Sequence, residues 1–97
     1  MIVQRMTFVT MPGRRAERMQ ILQELWKLWD DPPTYRIYLP ITGPSGIIHQ
    51  DIEFEDFEAR EKFWAEAASL PGFAPLMKKW NESSDTSGTN ELLSLVE

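Results

Sequence analysis

From Ile47 to Glu55 the chain alternates: Ile48, Ile52 and Phe54 fall on one side and His49, Asp51, Glu53 and Glu55 on the other. That period of two is the mark of a strand with one face buried and one face free. Just upstream, Tyr35-Arg36-Ile37-Tyr38-Leu39 is rich in aromatic and β-branched residues. Gly43, Pro44 and Gly46 separate the two runs, supplying positive φ or a fixed φ where the chain must reverse. Residues Thr34 to Asp56 therefore predict a β-hairpin, with Ile37, Leu39, Ile48, Ile52 and Phe54 on its apolar face. A further strand is predicted over Ile2 to Met11, with Met6 and Phe8 on one face and Arg5 and Thr7 on the other; Pro12-Gly13 ends it.

Between these strands the period changes. From Arg14 to Trp29, Met19, Leu22, Trp26 and Trp29 recur at intervals of three and four, with Ile21, Leu25 and Leu28 beside them. Arg14, Arg15, Glu17, Arg18, Gln20, Gln23, Glu24 and Lys27 fill the polar positions. This predicts an amphipathic helix, stopped at Asp30-Asp31-Pro32-Pro33 because proline cannot donate to the helical ladder and restricts the residue before it. A second helix is predicted from Asp56, whose carboxylate can cap the free amides of the first turn. Ala59, Phe63, Ala67 and Leu70 point inward with Trp64 alongside, until Leu70-Pro71-Gly72 breaks it. Pro75 suits the first turn of a short third helix carrying Leu76, Met77 and Trp80. Asn81 to Asn90, with Ser83, Ser84, Asp85, Ser87 and Gly88, reads as an exposed loop, and Glu91 to Val96 as the last strand.

The order strand, helix, strand, strand, helix, strand is the split β-α-β-β-α-β arrangement of the ferredoxin-like fold. It is an α+β architecture in which a four-stranded antiparallel sheet carries its helices on one face. Arg5, Thr7, Arg36, Tyr38, His49, Asp51 and Glu53 then lie on the uncovered face, where water, a ligand or a second sheet must meet them.

With 97 residues, 42% of them hydrophobic and four of them Trp, residues 1–97 make a single domain with one well-filled core. A net charge of −5 and a pI near 4.8 argue against nucleic acid and anionic membranes as partners, since both select basic surfaces. The absence of cysteine excludes disulfides, thiolate catalysis and cysteine-ligated clusters. No stretch approaches the run of about 20 apolar residues that a spanning helix needs, and the N-terminus has no charged region followed by an apolar run. A cytoplasmic protein is expected.

A resemblance adds to this reading. The strand before Pro12-Gly13, the Arg36-x-Tyr38 strand, the Gly43-Pro44-x-Gly46 turn, Glu53-Phe54-Glu55 before the second helix, and the closing Glu91-Leu92-Leu93-Ser94-Leu95-Val96-Glu97 together resemble the NIPSNAP-like branch of the dimeric α+β barrel superfamily. The resemblance covers nearly the whole chain. It implies a homodimer whose two sheets face each other as a barrel, with a cavity between each sheet and its own helices or under the loops. For this branch it implies no settled activity. Monooxygenases and heme-degrading enzymes of the same superfamily place Asn, Trp and His around a pocket under the sheet. Here the single histidine sits on a predicted strand, and Asn81 and Asn90 stand at the edges of the polar loop, so this chain departs from that pattern.

Candidate chemistry gathers on the uncovered face. His49-x-Asp51-x-Glu53 sets an imidazole and two carboxylates at intervals of about 7 Å along one strand, a spacing that permits a metal ion or a histidine oriented by a carboxylate. The same alternation is also how an ordinary solvated sheet face reads. Arg5 and Arg36, with Tyr38, form a candidate clamp for an anionic ligand, or else pair with Asp51 and Glu53. The four tryptophans line a pocket or simply fill the core. There is no Gly-rich phosphate loop, no zinc-ligand spacing and no nucleophile elbow, and no cofactor or metal is expected. Two functions remain. One is a homodimeric protein that binds a small hydrophobic or anionic molecule. The alternative is a cofactor-independent monooxygenase or isomerase acting on a small hydrophobic substrate, with His49 and Asp51 as catalytic residues and Arg5, Arg36 and Tyr38 holding the ligand.

Overall fold

The computed structural model describes residues 1–85 and 88–96. Its longest alternating segment becomes β3 (Ile47–Phe54), where Ile48 and Ile52 are fully buried and Phe54 nearly so. This strand pairs antiparallel on one side with β1 (Ile2–Val9) and on the other with the short β2 (Tyr35–Tyr38); β4 (Thr89–Ser94) pairs with the outer side of β1. The sheet order is β2-β3-β1-β4, so the chain from β1 to β2 crosses over β3 through a helix. The helices α1 (Arg15–Trp26), α2 (Phe57–Ser69) and α3 (Phe73–Glu82) lie against the face that carries Ile48, Ile52 and Phe54. None is long and apolar enough to cross a membrane.

Local signals explain the element ends. Asp56 caps α2, its Oδ1 accepting from Ala59 N at 2.8 Å. Gly72, at φ +89°, makes the left-handed turn that lets α3 start at Phe73, only three residues separating it from the end of α2 at Ser69. Gly46, at φ +83°, sits where the loop after β2 rejoins the sheet. A Cβ there would stand 2.9 Å from the Thr10 carbonyl oxygen, and Thr10 N donates to Gly46 O at 2.9 Å. The loop is thereby fastened to the end of β1.

Four expectations need correction, and a fifth, the place of Arg18, follows. The first strand ends at Val9 rather than Met11, because Thr10 leaves the ladder to form a single bridge with Ser84. The first helix ends at Trp26 rather than Trp29: Leu28 N bonds to Leu25 O, a tightened last turn ahead of the two prolines. The presumed loop from Asn81 to Asn90 is shorter, since Asn81 and Glu82 close α3, Ser83 is fully buried, and Thr89 and Asn90 begin β4. Ser87, in that expected loop, lies outside the described residues, as does Glu97. Leu39, expected under the helices, lies past the end of β2 and is 44% exposed.

Arg18 is the largest departure. Assigned to the polar side of α1, it is 1% exposed. Its guanidinium lies over the Trp80 ring at 3.7 Å and near Phe8 at 5.4 Å, and Nη1 donates to Val9 O and Thr10 Oγ1. Counted along the helix, Arg18 stands three and four residues before Ile21 and Leu22, both buried, so the helical period places it inside. Burial lowers its pKa to about 10; the group stays cationic, and the aromatic rings supply the electron-rich surface that carboxylates supply elsewhere.

Candidate functional site

The residues singled out on the uncovered face stand together in two cross-strand rows. Register aligns Tyr38, His49, Thr7 and Thr89 in one, and Arg36, Asp51, Arg5 and Glu91 in the next. In the second row the charges alternate in sign across four strands. Arg5 donates through Nε and Nη2 to the two oxygens of Asp51, each at 2.9 Å, the planar fork geometry that makes such pairs strong. Arg36 reaches Glu53 more loosely, Nη1 to Oε2 at 3.4 Å. The Asp51 carboxyl is held below its ordinary range, first by the hydrogen bond from Arg5, then by the positive charge of Arg5, with smaller contributions from His49 and Arg36, while burial opposes them. Both arginines thus hold carboxylates of this chain.

His49 is half-buried, and its Nδ1 shares a 3.0 Å hydrogen bond with Thr7 Oγ1. Its orienting partner is a hydroxyl across the strand pair, while Asp51, two residues along, is engaged by Arg5. Tyr38 is 47% exposed at the edge of the row. Among the described residues no group of three or more His, Cys, Asp or Glu is arranged to hold a metal ion. What the rows present is a neutralised, hydrogen-bonded surface rather than an unpaired charge awaiting a ligand.

The other face of the same strands holds a cavity of about 90 Å³ between sheet and helices. Trp26 and Trp29 wall it from α1 and the turn after it, Phe63 and Trp64 from α2, and Met77 and Trp80 from α3. The rings are locked against one another: Trp29 stacks on Phe63 with centroids 4.9 Å apart, and Phe63 meets Trp64 edge-on at 4.9 Å. Tyr35 of β2 lies flat on Trp26, 4.0 Å between centroids and 3° between planes. Trp29, Phe73 and Met77 are half-buried, so the helical side of the cavity keeps some contact with solvent.

Two buried glutamines orient these walls. Gln4 Oε1 accepts from Trp64 Nε1 at 2.9 Å and from Arg60 Nε at 3.1 Å, and its Nε2 donates to Asn90 Oδ1 at 3.1 Å. Gln50 Oε1 accepts from Trp26 Nε1 at 2.8 Å. Neither glutamine was singled out by sequence reasoning, although the alternation contained the signal: Gln4 shares the parity of Met6 and Phe8, and Gln50 that of Ile48 and Ile52. An amide on the apolar face of a strand is a polar group that needs buried partners, and here the partners are indoles.

Comparison with known proteins bears on the fold. The sequence matches no protein-family model and no curated protein. Solved structures do share its architecture. An uncharacterized NIPSNAP domain protein from Burkholderia xenovorans superposes with a TM-score of 0.86 at 14% identity, over 99% of this chain and 95% of that one. A NIPSNAP family protein from Agrobacterium tumefaciens strain C58 gives 0.81 at 13% identity, over 99% and 93%. A protein described as an antibiotic biosynthesis monooxygenase gives 0.75 at 19% identity, over the whole of both chains. The ferredoxin-like α+β fold, as NIPSNAP domain and antibiotic biosynthesis monooxygenase structures display it, is therefore the fold of this chain.

Proposed function

We propose that this protein binds a small, neutral, apolar molecule in the cavity between its sheet and helices, and that it does so as a homodimer joined through the uncovered sheet face. The observation that carries the binding reading is the lining. Aromatic rings, leucines and methionines make up nearly all of it, and among the described residues Gln50 is its one residue with a side-chain amide and no ionisable side chain takes part. Largely apolar clefts with few polar groups are where small ligands are held. An anion placed there would lose its hydration without gaining a counter-charge in the wall, and Arg5 and Arg36 are on the opposite side of the sheet, already paired.

The same geometry favours binding over catalysis. His49 and Asp51 alternate with Gln50 along β3 and face away from the cavity, so neither can exchange a proton with a molecule bound among the tryptophans. The solved monooxygenase neighbour shares the fold at 19% identity, which brings no acid or base to this cavity. For the dimer, support comes from the rows of the uncovered face, where Arg36, Asp51, Arg5 and Glu91 form a charge-balanced strip beside Tyr38.

Titration with benzene, followed by tryptophan fluorescence and by the indole N–H resonances of Trp26 and Trp64, tests the binding. An engineered apolar cavity of about 150 Å³ takes up benzene; the smaller space here is expected to admit it with displacement of Met77 or Phe73 at the half-buried side. Saturable shifts confined to the cavity indoles, with no such response to acetate, are the expected result. No response to benzene, or an equal response to acetate, refutes the reading.

A further inference from the structure

Gln50 stands in the middle of β3 between Ile37 and Met6 on the neighbouring strands, 3% exposed. The indole of Trp26 can only donate a hydrogen bond, and it donates to Gln50 Oε1. The orientation of the amide is thereby determined, oxygen toward Trp26 and NH2 away from it. That NH2 carries two hydrogens. Among the described residues its partner is the sulfur of Met6, at 3.6 Å, and a thioether is a weak acceptor. Gln50 and Met6 both line the cavity. Trp29, in the same wall, keeps a buried indole N–H with no partner among the described residues.

The wall is thus rich in donors, and the one side-chain carbonyl oxygen among its described residues is occupied. A buried donor left with a poor acceptor discriminates strongly between ligands, because a molecule that brings an acceptor satisfies it and an isosteric hydrocarbon does not. Resting on the cavity reading above, we infer that Gln50 is the specificity-determining residue of the site, and that its ligand is a neutral apolar molecule carrying an acceptor oxygen, as a ketone or aldehyde does, which takes the Gln50 Nε2–H in place of the Met6 sulfur. Arg18 does not turn this into an anion site, since it takes no part in the cavity wall among the described residues and its guanidinium lies behind the rings of Phe8 and Trp80; Nη1 is engaged by Val9 O and Thr10 Oγ1, and Nε, buried without a partner among the described residues, does not line the cavity.

Three probes of matched size separate the possibilities: cyclopentanone, its isosteric hydrocarbon methylenecyclopentane, and the anion cyclobutanecarboxylate. Each is titrated into the full chain by NMR, reading the Trp26 indole N–H and the Gln50 side-chain amide. Cyclopentanone is expected to bind about tenfold tighter than the hydrocarbon. The preference should vanish in Gln50→Leu and persist or grow in Met6→Leu, which removes the competing sulfur and leaves the Trp26 bond intact. Should Gln50→Leu fail to fold, the Met6→Leu comparison alone decides, because a cyclopentanone preference that falls when the competitor is removed contradicts the assignment. Equal binding of ketone and hydrocarbon to the native protein overturns the role of Gln50 while leaving the apolar cavity reading in place. Tightest binding of the carboxylate overturns it in favour of Arg18. Failure of all three to bind defeats the cavity reading itself.

Discussion

The guanidinium carbon of Arg18 lies 3.7 Å from the centroid of the Trp80 ring, so a buried cation in this fold is balanced by an aromatic face where a carboxylate would be usual. Arg18 also ties α1 to the end of β1 through Val9 O and Thr10 Oγ1. Phe8, 5.4 Å from the guanidinium carbon, meets Trp80 edge-on at 4.7 Å, so one side chain holds a strand, a helix and the loop between them.

Truncating it should therefore be costly. Arg18→Ala is expected to lose about 3 kcal/mol through the void and the unmade bonds to Val9 and Thr10. Arg18→Met, which fills the space and removes the buried charge, should lose distinctly less. Urea titration distinguishes them, and equal losses would mean that the charge itself stabilises. The sign of the pH effect follows from the pKa lowered to about 10. Above that value the unfolded chain holds this proton more firmly than the folded one, so stability relative to Arg18→Met should rise with pH.

Asp51 gives the opposite case. Its carboxyl is held below the ordinary range by Arg5, so its contribution is complete above about pH 4, the unfolded value, and is lost as pH falls through the folded one. Asp51→Asn should flatten that part of the acid-unfolding curve and cost about 1 kcal/mol or less at neutral pH, because Arg5 is 47% exposed and water screens the pair. An unchanged acid limb would show that the pair carries no linked proton.

The register itself is open to mutation. Ile52→Ala and Phe54→Ala remove side chains that are fully or almost fully buried and should each cost roughly 2–5 kcal/mol. Glu55→Ala, exposed just past the strand, should change stability by about 0.5 kcal/mol at most. Chemical denaturation of the three variants checks the order.

The proposed dimer predicts a mass of about twice 11.3 kDa by light scattering at micromolar concentration. Tyr38→Glu, at the edge of the uncovered face, should shift that mass toward a single chain without altering the far-ultraviolet spectrum. A native protein that scatters as a single chain removes the sheet-to-sheet assembly.

The fold was readable because β3 and the Asp56 cap state their structure locally: an apolar-polar alternation broken only at Ile47 and Gln50, and a carboxylate at a helix start. The polar face was readable for the same reason, and His49, Asp51, Arg5, Arg36 and Tyr38 do share it. What alternation does not encode is pairing. Whether Arg5 meets a ligand or Asp51 depends on the alignment of β1 with β3, forty-six residues apart in sequence. The buried polar residues were hidden by their own chemistry. Gln4, Gln50 and Arg18 count as surface residues when each is judged singly, and they become interior residues only when the position, rather than the side chain, sets the expectation.

The fastening of Gly46 to Thr10 divides the loop after β2 into a fixed foot and a free tip. At the foot no side chain fits, since a Cβ would run into backbone; at the tip, Ile41 is fully exposed and a Cβ on Gly43 would meet nothing within 4 Å. Grafted segments or relocated chain ends are best tolerated at such open tips, so a peptide tag spliced between Ile41 and Gly43 should leave the domain intact, whereas the same splice at Gly46 would pull β1 away from Arg18.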